Sequence, residues 1–175
     1  MSEKIFKKTL FLDRDGVINV DKSYVYKIED FEFEEFVVED LKFIFDEGYQ
    51  IIIITNQSGI ARGYYTVKEY KKLTKYYLNI FKANKIHGVK VLFCPHHPEG
   101  KIKRYATECE CRKPGLKLFE KAIKKYNVDI NNSIVVGDSL RDLELTKKYP
   151  QIKGYLFKTK SGNYETISRL KEIIK

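Results

Sequence analysis

Four consecutive isoleucines, Ile51-Ile52-Ile53-Ile54, constrain this chain more than any other feature. The run is β-branched, too short for a helix, and apolar on both faces. It reads as a central strand of a parallel sheet that helices must cover on both sides. Thr9–Leu12, Val89–Phe93, Ser133–Val136 and Tyr155–Phe157 are further short apolar runs. Amphipathic stretches separate them. Val37, Leu41, Ile44 and Phe45 fall on one helical face, and Gly48 closes it. Thr66 with Glu69 fits a capping box that opens a helix with Tyr70, Leu73, Tyr77, Ile80 and Phe81 inward. Leu116, Phe119, Ile123 and Tyr126 mark a third helix. Ser139 with Asp142 is spaced like another helix start. Ile167, Leu170 and Ile174 predict a closing helix. The alternation predicts an α/β fold, a doubly wound Rossmann-like parallel sheet, and the 175 residues suit a single domain over 1–175.

In such sheets ligands bind beyond the carboxyl ends of the strands. Three predicted strand ends carry unusual chemistry: Asp13-Arg14-Asp15-Gly16, Thr55-Asn56-Gln57-Ser58 and Gly137-Asp138. A strand end aims Asp13 into the crevice, and Gly16 permits the turn that brings Asp15 beside it. Two carboxylates this close repel, which raises one pKa unless a cation intervenes. One can stay ionised and attack as a nucleophile, and the other can hold a proton as general acid and then base. Asp138 adds a third carboxylate. Oxygen ligands of this kind suit Mg²⁺, which takes its remaining ligands from water and phosphate. As a purely structural set, Asp13 would cap a turn and Asp138 the next helix.

All three cysteines lie in one stretch, Cys94-Pro95-His96-His97 followed by Cys109-Glu110-Cys111. The N-terminal Met1–Lys8 lacks an apolar signal core, so the expectation is a cytoplasmic, reducing setting in which a disulfide is disfavoured. Three thiolates and one imidazole make a closed, structural zinc site, with Cys-x-His spacing favouring His96. His97 is left as a neighbour of that site or a substrate group, and His87 as a turn residue.

The charge is uneven. The chain carries +9 overall, yet Glu29–Glu47 holds nine acids and one base. A positive balance points to acidic partners, but most lysines, such as Lys68, Lys71, Lys72 and Lys75, sit at the spacing of a solvated helix face. The 43% hydrophobic content excludes a disordered chain, and no apolar run reaches the roughly 20 residues of a membrane span.

Leu12–Asn19, Ile54–Gly59, Arg112-Lys113-Pro114 and Gly137–Asp142 resemble, in order, the four motifs of haloacid-dehalogenase-like phosphatases. The resemblance covers about residues 9 to 145. It implies that Asp13 is the nucleophile, becoming an aspartyl-phosphate, and that Asp15 protonates the leaving group and then deprotonates water. It implies that Thr55 and Lys113 hold the phosphoryl oxygens, and that Asp13, the Asp15 carbonyl and Asp138 bind Mg²⁺, with Asp142 close by. Little sequence separates the first two motifs, so no large cap is expected. Selectivity must come from loops: Asp21 to Tyr24, Arg62 to Tyr65, and the zinc loop at about 94–111.

Capless members with such a zinc loop include heptose 1,7-bisphosphate 7-phosphatases and histidinol-phosphate phosphatases. Asp15–Asn19 and Phe31-Glu32-Phe33 are closer to the heptose enzymes, which serve lipopolysaccharide or nucleotide-activated heptose synthesis. Ser139 stands where those enzymes usually carry Lys. The resemblance implies substrate contacts from Asp21, Tyr24, Asn56, Gln57, Ser58, Arg112 and Ser139. It points to a monomer acting on a small sugar bisphosphate, with neither nucleic acid nor membrane as partner. The competing readings are a histidinol-phosphate phosphatase, a polynucleotide-end phosphatase, and a zinc-stabilised nucleic-acid-binding module. The last leaves Asp13, Asp15 and Asp138 unexplained, because they would repel phosphate without a metal.

Overall fold

The computed structural model describes residues 5–174. Residues 1–4, on which part of the N-terminal reading rests, lie outside the described residues. The elements are β1 (Lys7–Leu12), α1 (Val37–Asp46), β2 (Gln50–Asn56), α2 (Gly59–Arg62), α3 (Val67–Ala83), β3 (Lys90–Cys94), α4 (Lys117–Lys125), β4 (Val128–Gly137), α5 (Leu145–Lys148), β5 (Lys153–Phe157) and β6 (Glu165–Ile167). All neighbouring strands pair in parallel, in the order β3-β2-β1-β4-β5-β6.

The isoleucine run sits where its composition requires. β2 lies between β1 and β3, and Ile51 to Ile54 are all buried. Ile51 and Ile53 join Leu10, Leu12, Ile134 and Val136 on one face, beneath α1 and α3. Ile52 and Ile54 join Phe11 and Val135 on the other, beneath Leu118, Phe119 and Ala122 of α4. The period of two sends alternate side chains to opposite layers, so both faces need helices.

The predicted capping box forms. Thr66 Oγ1 accepts the Glu69 N–H at 3.2 Å, and the Thr66 N–H donates to Glu69 Oε2 at 2.7 Å. The predicted closing helix does not form. Glu165–Ile167 instead adds a sixth strand to β5, and a single 3₁₀ turn follows at Leu170–Ile173. The buried positions are Ile167, Leu170 and Ile173, a spacing of three that fits a strand end followed by a 3₁₀ turn. Glu172 closes that turn by accepting the N–H groups of Ser168 and Arg169. Ser139 and Asp142 likewise open only a 3₁₀ turn at Leu140–Asp142. Among the described residues no helix is long and apolar enough to cross a membrane.

Chain order reverses between β1 and β4, which are direct neighbours with Leu12 opposite Val136. The residues just past their ends, Asp13 and Asp138, are thereby brought together at the switch point. β2 flanks β1 on the other side, so Thr55 joins the same rim.

Candidate active site

The Asp13 N–H donates to the Val136 carbonyl at 3.1 Å, which carries the strand register one residue further and fixes the Asp13 side chain at the rim. The chain then turns sharply. Gly16 has φ +79°, and a Cβ there would lie 2.4 Å from Asp138 Oδ2. Only glycine meets both the backbone angle and the close approach of that carboxylate.

Three carboxylates converge. Asp13, Asp138 and Asp142 can each offer an oxygen within 4.8 Å of the others. Asp142, expected close by, joins the cluster itself; its approach depends on Gly137, where a Cβ would meet the Asp142 Cβ at 2.2 Å. Lys113 balances part of the charge. Its Nζ lies 2.9 Å from Asp13 Oδ1 and 2.7 Å from Asp142 Oδ1, and donates to the Ile54 carbonyl at 2.7 Å. Burial works against the Lys113 charge, but the two carboxylates outweigh it and hold its pKa above the ordinary lysine value. Burial pushes the Asp13 carboxyl up to about 6 despite Lys113. Burial, then repulsion from Asp13 and Asp142, pushes Asp138 up to about 7. Asp138 Oδ1 is buried with no protein partner. An all-oxygen donor set with an orphaned carboxylate oxygen fits a hard divalent cation such as Mg²⁺.

Asp15 stands apart from this cluster. Its Oδ1 accepts from Arg14 Nη2 at 2.6 Å and Asn19 Nδ2 at 3.1 Å, and its Oδ2 accepts from Gln57 Nε2 at 3.0 Å. Gln57 is a hub. It also donates to Thr55 Oγ1 at 2.9 Å, and its Oε1 accepts from the Tyr65 hydroxyl at 2.6 Å. The amides of Asn56 and Gln57 are therefore spent on the protein itself: Asn56 binds the backbone of Lys113. Ser139 Oγ donates to Asp142 Oδ2 at 2.6 Å, so Ser139 stands as a turn cap that orients Asp142.

A cavity of about 280 Å³ opens over Asp13 and Asp15. Asp21, Tyr24, Asn56, Gln57, Ser58 and Arg112, all expected from sequence, line it. Arg62 and Arg141 line it too. Neither was singled out from sequence; Arg62 opens an expected specificity loop and Arg141 lies inside the fourth motif. Burial and the charges of Arg141 and Arg62 work against the Arg112 guanidinium. Arg112 Nη1 and Arg62 Nε are buried without protein partners. Three guanidiniums at one cavity mouth, two of them with unused donors, suit a multiply charged anion. His97 lies with its Nε2 3.1 Å from Arg62 Nη2. His87 is at the opposite end of the sheet, against Phe45.

The cysteine loop folds as its spacing predicts. Cys94, His96, Cys109 and Cys111 bring one donor each to within 4.8 Å of one another. Cys94 Sγ is 3.3 Å from Cys109 Sγ and 3.6 Å from His96 Nδ1, and His96 Nδ1 is 3.4 Å from Cys111 Sγ. Burial pushes the Cys94 thiol above its usual range, a cost that a bound zinc ion reverses by holding the thiolate. The donor chemistry fits a four-coordinate zinc. Cys111 leads directly into Arg112 and Lys113, so the loop anchors one cavity arginine and the buried lysine.

The family model described as polynucleotide kinase 3 phosphatase matches residues 8–154. The D-glycero-alpha-D-manno-heptose-1,7-bisphosphate 7-phosphatase of Photorhabdus laumondii is 44% identical over 177 residues, covering 94% of this chain and 97% of the relative. The D-glycero-beta-D-manno-heptose-1,7-bisphosphate 7-phosphatase of Haemophilus ducreyi is 44% identical over 78% of this chain and 75% of its own length. Among solved structures, the D,D-heptose 1,7-bisphosphate phosphatase of B. bronchiseptica, complexed with magnesium and phosphate, superposes with TM-score 0.78 at 24% identity, covering 95% of both chains.

Proposed function

Because the chain belongs to the polynucleotide kinase 3 phosphatase family and, among haloacid-dehalogenase-like phosphatases, to the D-glycero-D-manno-heptose-1,7-bisphosphate 7-phosphatases, we propose that it removes the 7-phosphate of that sugar in heptose biosynthesis and leaves the 1-phosphate in place. The observation that carries this is the division of the cavity. Asp13 and Asp15 line it as the reacting pair, with Lys113 buried against Asp13, and Arg62, Arg112 and Arg141 line it as a cationic group. A sugar with a phosphate at each end matches both.

Asp13 attacks phosphorus through a carboxylate oxygen, forming an aspartyl-phosphate as the bond to the sugar oxygen breaks. Asp15 delivers its proton to that leaving oxygen. A water then attacks the phosphorus of the aspartyl-phosphate, and Asp15 takes the water's proton, which returns Asp13 and releases inorganic phosphate. Lys113 and Thr55 hold the phosphoryl oxygens, with Lys113 also fixing the Asp13 oxygen that does not attack. Charge neutralisation at the equatorial oxygens carries most of the catalysis in such transfers. Asp13, Asp138 and the Asp15 carbonyl would hold Mg²⁺, with Asp142 behind them, and the ion would neutralise phosphoryl charge. The cysteine loop takes zinc as a structural ion.

Remote binding energy from the 1-phosphate orients the reacting phosphate without a cap domain. Histidinol phosphate, cationic at its far end, meets the arginines as a like charge. The test is phosphate release from both anomers of the heptose bisphosphate, histidinol phosphate and a 3′-phosphorylated oligonucleotide. The heptose bisphosphate should have the highest kcat/KM and yield the 1-phosphate. Faster turnover of either other substrate overturns the assignment.

A further inference from the structure

We propose that Arg14, between the two motif aspartates, is a positioning residue: it fixes the orientation of the Asp15 carboxyl toward the leaving group and ties Asp15 to the cavity loop of Asp21 to Val25. The inference rests on the reading of Asp15 as general acid and base.

Arg14 is 0% exposed. A guanidinium removed from water is strongly disfavoured unless it is paired and hydrogen-bonded, and a core position at a strand end is better filled by an aliphatic side chain when only stability is at stake. Its pairing is one-sided. Nε and Nη2 both donate to Asp15 Oδ1, at 3.2 Å and 2.6 Å. Asn19 Nδ2 adds a third donor to the same oxygen. Oδ2 accepts only from Gln57. Three N–H groups on one oxygen leave the carboxyl little freedom to rotate. Arg14 and Asn19 therefore hold Oδ1 and fix the plane of the Asp15 carboxyl, and Oδ2 is left with the Gln57 amide.

The same Nη2 donates to the Val25 carbonyl at 2.8 Å. The two residues before Val25, Ser23 and Tyr24, hold left-handed backbone angles with φ 59° and 55°. Two successive non-glycine residues in that region are strained and need an anchor to persist. Both line the cavity beside Asp15. One buried cation thus sets the acid and the specificity loop together.

The experiment uses the full chain with Mg²⁺ and a series of aryl monophosphates of one shape and graded leaving-group pKa, from dinitrophenyl to phenyl. In Arg14→Met, kcat/KM for phenyl phosphate should fall about 10²-fold, while dinitrophenyl phosphate, which needs no proton, should stay within about threefold. Asp15→Asn run alongside should show the same steepened dependence. A uniform loss across the series in Arg14→Met, with a steepened series in Asp15→Asn, overturns the Arg14 role alone. A flat series in Asp15→Asn overturns the acid reading and this inference with it. Arg14→Lys keeps a buried cation but loses the forked contact, and serves if the Met variant does not fold; it should steepen the series less than Asp15→Asn. For the loop, KM for the sugar bisphosphate should rise more than KM for phenyl phosphate in Arg14→Lys. Equal changes overturn the tie to Val25.

Discussion

The side-chain amide of Asn56 binds the backbone of Lys113 at two points: Oδ1 accepts the Lys113 N–H at 3.0 Å, and Nδ2 donates to the Lys113 carbonyl at 3.1 Å. The contact joins the end of β2 to the exit of the cysteine loop. It places the buried Lys113 between Asp13 and Asp142. Asn56→Ala removes both bonds and leaves a buried backbone pair unmet, which should destabilise by about 1–3 kcal/mol. A displaced Lys113 should also lower kcat by about tenfold or more. Thermal melts and phosphate release check both, and a normal kcat with a lowered Tm would count against the positioning role.

Asp13→Asn keeps the shape of the strand end and removes the attacking charge. The rate should fall on the order of 10³-fold or more, with no hydroxylamine-sensitive phosphoryl-enzyme trapped from labelled substrate. Label retained on purified Asp13→Asn protein would move the nucleophile elsewhere.

The cysteine loop should behave as a fold element with a metal inside. Cys109→Ser leaves three of four ligands and should lower zinc content and Tm together, because binding energy at such sites is folding energy. Activity should fall in proportion to lost structure through Lys113. Metal analysis of fresh wild-type protein should give one zinc per chain; its absence would end the zinc reading.

Magnesium and protons should compete. Asp13 and Asp138 are raised from an ordinary 3.8 to about 6 and about 7, chiefly by burial. Such groups hold protons in the folded state that the unfolded chain has released. Their contribution without a cation is therefore most favourable below the unfolded value and is lost as pH rises through about 7. Mg²⁺ favours the ionised forms, so the Tm increase it produces should be larger at about pH 7.5 than at about pH 5. An equal increase at both would refute the carboxylate assignment.

Arg112 lies beside Lys113 but faces the cavity. Arg112→Ala should lower kcat/KM for the heptose bisphosphate by about 10²-fold and for a generic aryl monophosphate far less, because only the former has a second phosphate to grip. Parallel losses on both substrates would mean that Arg112 supports Lys113 instead.

Much of this site is legible along the chain because local patterns carry it. The isoleucine run demands two covered faces. A carboxylate directly after an apolar run marks a strand end. Close spacing of three thiols and a histidine limits what they can do. The closing segment departs from its pattern: Ile167, Leu170 and Ile174 satisfy a helical face. What prevailed was pairing with β5 and the Glu172 contacts, which linear spacing does not contain.

The sequence alone determined the alternating elements, the parallel sheet, the strand-end acids and the four metal-loop donors, since each depends on residues near one another in the chain. Only the tertiary structure decided that Asp142 lies within the acidic cluster and not merely near it, that Arg62 and Arg141 join Arg112, and that Asn56 and Gln57 bind protein as well as line the cavity. Those outcomes depend on strand order and on which donors meet which acceptors once distant parts of the chain are packed together. A buried polar group takes the partner that the packed fold brings to it, whatever its neighbours in sequence.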